Sequence, residues 1–243
     1  MTIKQGMVLA AGLGTRMRPI TDTLPKPLVK ISGKPLIDYA LDALVKAGVE
    51  RIVVNIHHFA EQMLEHLQNY RDAEIIISDE RDGLMNSGGG LAKGLKLLAR
   101  EPTLVMNADL FWIGEQEHKW NNLDYLAGFY DAARMDMAML CVDNADTTGH
   151  NGKLDFNMDA DGVLTRYQEG DPDPVVYAGA IALHPALLDD APNGPFNLNI
   201  YFDKVIAKRR LLGTKLRGHW ITVGTPEAIE QAETTIHRFG GLS

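Results

Sequence analysis

A glycine-containing loop near the start of the chain holds the first residues whose types and spacing could bind a ligand. Residues 9–19 read LAAGLGTRMRP, so Gly12 and Gly14 are followed closely by Arg16. Glycines let backbone N–H groups approach an anion, and the planar guanidinium of arginine can bind two phosphate oxygens at once. The spacing predicts a turn that holds phosphates beneath Arg16. A plain turn with solvated arginines is the alternative.

This loop does not fit two common nucleotide-binding motifs. The dinucleotide-binding motif G-x-G-x-x-G needs a third glycine and an immediate helix, but Met17 stands at the third position and Pro19 follows. The sequence also has no G-x-x-x-x-G-K-[ST], the motif of P-loop proteins. A Rossmann dehydrogenase and a P-loop NTPase are therefore both disfavoured.

Three further features could contribute to the same site. Lys26 lies between two prolines, which restrict its backbone and favour a fixed direction for the side chain. Asp109 ends the apolar run TLVMNAD, and a carboxylate that faces phosphates is a natural Mg²⁺ ligand. Glycines 88–90 open a predicted helix, where their backbone could approach a flat base. The alternatives are a solvated lysine, a capping aspartate and a bare helix start.

Alternating strands and helices are predicted to bring these features together. Strands are expected at 6–11, 51–56, 74–78 and 103–109, a loop at 16–33, and helices at 35–48, 59–68 and 87–98. This alternation predicts a parallel, doubly wound sheet with right-handed crossovers. Ligands of such sheets bind outside the carboxyl ends of the strands, which is where the glycine loop and Asp109 would lie.

The second half of the chain has a looser pattern. We expect a helix around 123–134, strands at 137–142, 153–157, 162–167 and 175–183, a helix at 199–208, the segment 215–224, and a final helix at 226–238. This pattern predicts mixed sheet added to the parallel core, forming one wall of a pocket. The sequence has no repeat or linker, so one domain over residues 1–243 is the economical interpretation.

Composition excludes several classes of function. The chain has 243 residues, 45% of them hydrophobic, and a net charge of -8, which argues against nucleic acid as a partner. Its one cysteine, Cys141, cannot form an internal disulfide and is expected to be buried. No apolar stretch approaches ~18 residues, and the N-terminus has no apolar segment, so we expect a cytoplasmic protein without a membrane span.

These motifs resemble those of the sugar-1-phosphate nucleotidyltransferases. LAAGLGTRMRP with LPKPL resembles the N-terminal signature of that family, and SGGG, NAD and HWITVGTPEA extend the similarity over nearly the whole chain. The resemblance implies an α/β fold, a Rossmann-like doubly wound, mostly parallel mixed sheet flanked by helices, of the nucleotide-diphospho-sugar transferase type. It also implies an enzyme that joins a sugar 1-phosphate to an NTP and releases pyrophosphate with Mg²⁺.

Within the family, this chain resembles a short form that lacks the C-terminal left-handed β-helix of many relatives. It is most similar to the N-acetylmuramate-1-phosphate uridylyltransferases, and mannose-1-phosphate guanylyltransferases are the nearest alternative. The resemblance implies a nucleotide-binding half at 1–110 and a sugar-binding half at 111–243. The expected partners are an NTP, with UTP favoured, and a sugar 1-phosphate, and the expected cofactor is Mg²⁺. We expect neither nucleic acid nor a membrane as a partner, and a monomer or small homo-oligomer.

The resemblance also implies roles for individual residues. Arg16 would contact the leaving β,γ-phosphates, Lys26 the α-phosphate or the sugar phosphate, and Asp109 the metal. Nucleotide contacts are implied for Ala10, Ala11, Gly12, Gly14, Thr15, Asn86, Gly88 and Gly89, and sugar contacts for Asn107, Gly179 and Asn197.

Two departures from the family pattern remove carboxylates from the expected site. Thr222 stands where many members have a metal-binding aspartate in HWxDVGT, and Asn86-Ser87 replaces a frequent Glu-Thr. Because a threonine hydroxyl is a weak Mg²⁺ ligand, the metal would depend on Asp109, the triphosphate and water. A nucleotide-binding or regulatory homologue with weakened catalysis is therefore a further alternative.

The expected reaction needs no general base. A sugar phosphate is already anionic at pH 7, because the second pKa of a phosphate monoester is ~6. His57, His58 and His219 have no evident base or metal partner and are expected to be structural or to contact the sugar. Catalysis would consist of aligning two anions and neutralising their charge.

Overall fold

The computed structural model describes residues 2–115 and 121–241 and shows the strand–helix alternation that the sequence predicts. The first half contains β1 Gln5–Leu9, β2 Lys30–Ile31, β3 Lys34–Pro35, α1 Leu36–Lys46, β4 Arg51–Ile56, α2 Ala60–Leu67, β5 Glu74–Asp79, α3 Asn86–Leu95 and β6 Thr103–Asn107. The second half contains β7 Leu110–Ile113, α4 Asn122–Phe129, β8 Met137–Val142, β9 Thr147–Thr148, β10 Phe156–Met158, β11 Leu164–Arg166, β12 Pro174–Leu183, α5 Asn199–Ala207, β13 Leu211–Lys215, β14 His219–Thr222 and α6 Glu227–Arg238.

Nine of these strands form a mixed central sheet. Its order is β11-β10-β12-β6-β1-β4-β5, with β8 paired to β12 and β13 paired to β8. The strands β6, β1, β4 and β5 are parallel, whereas β12 runs antiparallel to both β6 and β8. The doubly wound α/β sheet with antiparallel additions is therefore confirmed.

Both faces of the sheet are covered, which explains the continuous apolar runs of its parallel strands. Consecutive residues of β1 point to opposite faces, so Val8 packs with α1 and α2 on one side and Met7 packs with α3 and α5 on the other. Both side chains are fully buried. The core clusters on the two faces hold the carboxyl ends of β1 and β6 in fixed positions.

A second, three-stranded sheet lies beside the first and fixes the loop that follows β1. Its order is β7-β14-β9, and a buried cluster joins it to Met17, Ile31 and residues of α6. The end of the chain therefore packs on residues 15–35. This packing holds the proline-containing segment 15–35 in place. The segment consists of three short 3₁₀ turns and the β2–β3 hairpin.

Several boundaries differ from the sequence-based expectation. Residues 215–224 contain parts of two strands in different sheets, separated by a turn in which Gly218 has a φ of 94°. The strands β7 and β9 and the short β2–β3 hairpin were not expected. Helix α4 ends at Phe129, and a turn closed by the Asp131 side chain follows. Strand β1 ends at Leu9, since the next N–H group, that of Ala10, donates to a side chain instead of a neighbouring strand.

None of the helices within the described ranges combines the length and the apolar character needed to cross a bilayer.

Candidate active site

A cleft of about 460 Å³ opens at the carboxyl ends of β1 and β6. Its wall is built from six parts of the chain that the fold brings together, namely residues 9–16, the Lys26–Pro27 turn, Asn55, residues 84, 86 and 87, residues 107–109, and Gly224. This edge of the parallel sheet is where ligands of such folds bind. The location predicted for the glycine loop and Asp109 agrees with this arrangement.

Different features of the structure account for the two glycines of the loop. Gly14 is in the left-handed conformation with φ 63°, and a Cβ there would lie 2.9 Å from Cβ of Lys26. A side chain is therefore excluded at residue 14 by backbone strain and by the Lys26 turn. Gly12 has no such constraint, because a Cβ there would meet no atom within 4 Å. The space beside Gly12 is thus open to a ligand.

Arg16 is exposed at the edge of the cleft and lies beside Gly224. A Cβ at residue 224 would be 3.6 Å from Nη1 of Arg16, an ordinary van der Waals distance, so the backbone of Gly224 lies close to the flat guanidinium. Within the described ranges, Arg16 forms no ion pair with an aspartate or glutamate. A guanidinium without an anion at a cleft edge can bind phosphate oxygens.

Lys26 and Asp109 form an ion pair across the cleft, although 83 residues separate them in the sequence. Nζ of Lys26 donates to Oδ2 of Asp109 at 2.5 Å, and the side chains are 12% and 34% exposed. The Lys26 backbone is held in a 3₁₀ turn between the two prolines, as the sequence predicted for a fixed direction. Asp109 is held at its carbonyl oxygen, which accepts from the N–H of Val223 at 3.0 Å.

Thr222 lies next to Asp109, where the expected second carboxylate is missing. Its hydroxyl donates to the Asp109 carbonyl oxygen at 3.4 Å. The residues that the structure describes contain no group of three or more histidines, cysteines, aspartates or glutamates that could enclose a metal. Among the described residues that line the cleft, Asp109 alone carries a carboxylate. This donor set fits a Mg²⁺ ion that takes its other ligands from phosphates and water.

The remaining predicted site residues divide into two groups. Ala10, Ala11, Thr15, Asn86 and Asn107 line the cleft. Four others, Gly88, Gly89, Gly179 and Asn197, do not line it.

Gly88 and Gly89 are buried in α3, and both of their N–H groups donate to the Phe196 carbonyl oxygen, at 2.9 and 3.2 Å. A Cβ at residue 88 would lie 2.3 Å from the Phe196 ring. These glycines therefore allow α3 to pack against the segment before α5, which is a structural reason for the glycine run that the local sequence did not reveal.

Gly179 and Asn197 also have local structural roles. Gly179 lies in β12 with φ 74°, and a Cβ there would be 1.9 Å from Cδ2 of Leu110. The side-chain oxygen of Asn197 accepts from the N–H of Asn199 at 2.9 Å, at the start of α5. Both residues position elements that surround the cleft.

Several residues that line the cleft were not among those predicted from the sequence, namely Asn55, Leu13, Leu84, Ser87 and Gly224. Asn55 carried a readable signal, since it is the single polar residue between the apolar positions of RIVVNI, near the carboxyl end of a strand. Leu13 is an apolar side chain that is 42% exposed at the tip of the loop. Gly224 lies within the motif HWITVGTPEA, whereas no local pattern distinguishes Leu84.

The histidines and the cysteine have structural surroundings, as expected. Nδ1 of His57 is 2.7 Å from the Glu80 carbonyl oxygen, Nε2 of His58 is 3.3 Å from that of Thr21, and Nε2 of His219 is 2.8 Å from Oγ1 of Thr148. Burial raises the pKa of the Cys141 thiol, so this group is not a nucleophile.

Comparison with known proteins adds an independent line of support. Residues 5–149, more than half of the chain, match the family model described as "Nucleotidyl transferase". The chain is 40% identical over 238 residues to N-acetylmuramate alpha-1-phosphate uridylyltransferase of Caulobacter vibrioides, covering 96% of this chain and 97% of the relative. It is 30% identical to mannose-1-phosphate guanyltransferase of Debaryomyces hansenii, covering 92% of this chain and 62% of that protein.

Among solved structures, UDP-glucose pyrophosphorylase complexed with UDP-glucose superposes with a TM-score of 0.76 at 20% identity, over 97% of this chain and 99% of the other. At that identity the superposition shows the shared fold. Together, the matched family model, the full-length relative at 40% identity and the motif-bearing cleft show that the chain belongs to the nucleotidyl transferase family.

Proposed function

We propose that this protein joins a sugar 1-phosphate to a nucleoside triphosphate and releases pyrophosphate, with N-acetylmuramate 1-phosphate and UTP as its substrates. The convergence of the glycine loop, Arg16, Lys26 and Asp109 in one cleft carries this proposal. The substrate pair is supported by the relative that is 40% identical over nearly its full length.

The residues of the cleft account for the chemistry. Backbone N–H groups of the open loop at Gly12 hold the triphosphate, and Arg16 binds the phosphates that leave as pyrophosphate. Lys26 stabilises negative charge that develops on the α-phosphate. The attacking sugar phosphate is anionic at pH 7, so no side chain has to remove a proton. A Mg²⁺ ion held by Asp109 would supply further charge neutralisation when bound.

The base is assigned to the part of the cleft lined by Leu84, Asn86 and Ser87. Leu84 offers an apolar surface, and the Asn86 amide offers both a donor and an acceptor to a base edge. Asn86 has a φ of 58°, a conformation that is rare for residues other than glycine and is frequent at ligand sites. Gly88 and Gly89 follow this segment directly, and their N–H groups bond it to the Phe196 carbonyl oxygen.

The proposal is tested by a matrix of nucleoside triphosphates against sugar 1-phosphates, read by pyrophosphate release. We expect the highest kcat/KM for UTP with N-acetylmuramate 1-phosphate. A higher value for GTP with mannose 1-phosphate would replace the proposed substrates with those of the guanylyltransferase alternative. Nucleotide binding without pyrophosphate release for any pair would favour a homologue with weakened catalysis.

That second candidate is favoured by one observation, the neutral Thr222 beside Asp109. Restoring a carboxylate with Thr222→Asp should change kcat by less than about tenfold, because Mg²⁺ commonly uses one protein carboxylate with phosphates and waters. The comparison variant Thr222→Asn has similar shape without charge. A large Mg²⁺-dependent gain in Thr222→Asp alone would show that the natural protein is catalytically weakened.

Gly12→Ala isolates the role of the open loop. Since the added Cβ meets no protein atom within 4 Å, we expect the melting temperature to stay within about 2 °C of wild type. The methyl group would occupy space proposed for phosphates, so the KM for UTP should rise about tenfold or more. Unchanged KM would show that the nucleotide does not approach this loop.

Gly179→Ala is the matched comparison, because the same added atom would lie 1.9 Å from Leu110. The left-handed backbone and the overpacking should together cost about 2–4 kcal/mol of unfolding free energy. We expect the melting temperature to fall by roughly 5–12 °C. A stable variant with a raised KM for the sugar 1-phosphate would instead support the sugar contact implied by the family resemblance.

A further inference from the structure

Glu80 is the single charged side chain that the structure buries within the described ranges. It is 1% exposed and follows β5 at the same edge of the sheet as the cleft. It does not line the cleft, so the proposed reaction leaves it without a role. Burying a carboxylate destabilises the fold unless the group is fully hydrogen bonded. The hydrogen-bond partners of Glu80 therefore indicate its role.

Both carboxylate oxygens of Glu80 are used. Oε1 accepts from Nδ2 of Asn55 at 2.7 Å, and Oε2 accepts from the N–H of Met85 at 3.0 Å. The side-chain oxygen of Asn55 accepts in turn from the N–H of Ala10 at 2.6 Å. The result is a continuous chain of bonds from the start of the glycine loop, through Asn55 and Glu80, to Met85.

This chain of bonds connects the two parts of the cleft assigned to different parts of a nucleotide. Ala10 begins the loop proposed to hold the phosphates, and Met85 lies between Leu84 and Asn86, which are proposed to hold the base. Gly90 leaves space for the connection, because a Cβ there would be 2.7 Å from Asn55 Nδ2 and 2.8 Å from Glu80 Oε1.

The direction of every bond in this network is determined. The N–H groups of Ala10 and Met85 can only donate, so Asn55 must present its oxygen to Ala10 and its amide nitrogen to Glu80. Glu80 must then accept on both sides. A carboxylate satisfies this requirement, whereas a carboxamide of the same shape leaves one donor facing another donor.

We propose that Glu80 is a positioning residue that fixes the phosphate-binding loop and the base-binding segment relative to each other, acting through Asn55 and the backbone of Met85. This inference rests on the proposed function. A nucleoside triphosphate spans both parts of the cleft, so its affinity depends on their relative position. Glu80 supplies that position without lining the cleft itself.

Glu80→Gln tests the inference with the smallest change in shape. The mismatch cannot be relieved by rotating the Asn55 amide, since that would turn its donor toward the N–H of Ala10. We expect the Kd for UTP, measured by titration calorimetry on the full chain, to rise about tenfold, equivalent to ~1.4 kcal/mol. The KM for UTP should rise in parallel, and kcat should change less than KM.

The double variant Glu80→Gln with Asn55→Asp should restore binding. The new carboxylate at residue 55 accepts from the N–H of Ala10 and from the new carboxamide, whose oxygen accepts from Met85. Every donor then has an acceptor again, and we expect the Kd for UTP to return to within about twofold of wild type. If Glu80→Gln alone is too unstable to purify, a folded double variant with tenfold weaker UTP binding overturns the inference.

Gln5→Met is the control for a purely structural effect. Gln5 is 5% exposed at the opposite end of β1, and its amide nitrogen donates to the carbonyl oxygens of Ala99 and Glu101. Its loss should lower the melting temperature without changing the Kd for UTP. Wild-type protein that binds no nucleoside triphosphate would overturn the proposed function and this inference together. Wild-type binding that is unchanged in Glu80→Gln would overturn the positioning role alone.

Discussion

Lys26→Met should slow pyrophosphate release by about 10²–10³-fold, the loss typical when one preorganised donor to a developing negative charge is removed. The Lys26 side chain is 12% exposed and lines the cleft from a turn held by two prolines. Its direction therefore needs little reorganisation during the reaction. Methionine keeps most of the side-chain volume and removes the charge, so the packing of the turn is preserved.

The effect of Lys26→Met on folding should be small by comparison. Asp109, the partner of Lys26, is 34% exposed, so water can solvate its carboxylate when the lysine is removed. An ion pair this accessible contributes about 1 kcal/mol or less to the unfolding free energy. We expect a nearly unchanged melting temperature together with the large loss of turnover, measured by pyrophosphate release under saturating substrates.

Lys30→Met is the matched control, because Lys30 belongs to the same basic segment but is exposed on β2, outside the cleft. It should retain wild-type turnover. If Lys26→Met also kept turnover within about threefold of wild type, Lys26 would have no part in charge stabilisation. An equal loss in both variants would indicate that the overall charge of the segment matters, and not the position of Lys26.

The parts of the fold that depend on local pattern were predictable. The amphipathic spacing of residues 36–46 and the apolar run 51–56 correspond to α1 and β4. Because parallel strands end at a common edge, the meeting of the glycine loop with Asp109 followed from topology alone, before any side-chain contact was known. The Lys26 turn could be expected to be rigid, although its partner could not be named.

The glycine run 88–90 shows how local pattern leaves two interpretations open. Three consecutive glycines at a helix start suggested close approach of a ligand, yet the atoms that approach are those of Phe196, Gly194, Asn55 and Glu80. Phe196, Gly194 and Asn55 come from distant parts of the chain, and Glu80 lies ten residues before Gly90. A glycine records that something lies close to the backbone, and the sequence does not say whether that neighbour is a ligand or protein.

The same limitation explains why Asn55 and Glu80 were missed. Asn55 stands out only as a polar residue in an apolar strand, and Glu80 is an ordinary polar residue in its segment. The role of both depends on bonds between β4, the segment after β5 and the loop after β1. The segment 215–224 was treated as one unit for a related reason, since only tertiary pairing assigns β13 and β14 to different sheets.

Asp109→Asn should lower turnover by at least about a hundredfold, because it removes the charge that would hold Mg²⁺, and metal assistance supplies several kcal/mol of transition-state stabilisation. The amide keeps the shape of the side chain, and the Asp109 backbone stays fixed by the N–H of Val223. Asp22→Asn is the matched control, since Asp22 is an exposed acid that pairs with Arg18 outside the cleft.

Metal binding separates Asp109→Asn from Lys26→Met even though both should lose activity. The oxygen proposed to bind Mg²⁺ belongs to the carboxylate that accepts from Lys26, so the ammonium group and the metal would compete for it. Mn²⁺ binding without nucleotide, followed by electron paramagnetic resonance, should therefore weaken in Asp109→Asn and strengthen in Lys26→Met. Parallel weakening in both variants would contradict this competition and would require the metal to bind elsewhere. Opposite shifts would show that the Lys26 ammonium group and the metal compete for the Asp109 carboxylate, so that a phosphate that binds Lys26 would also favour metal binding at Asp109.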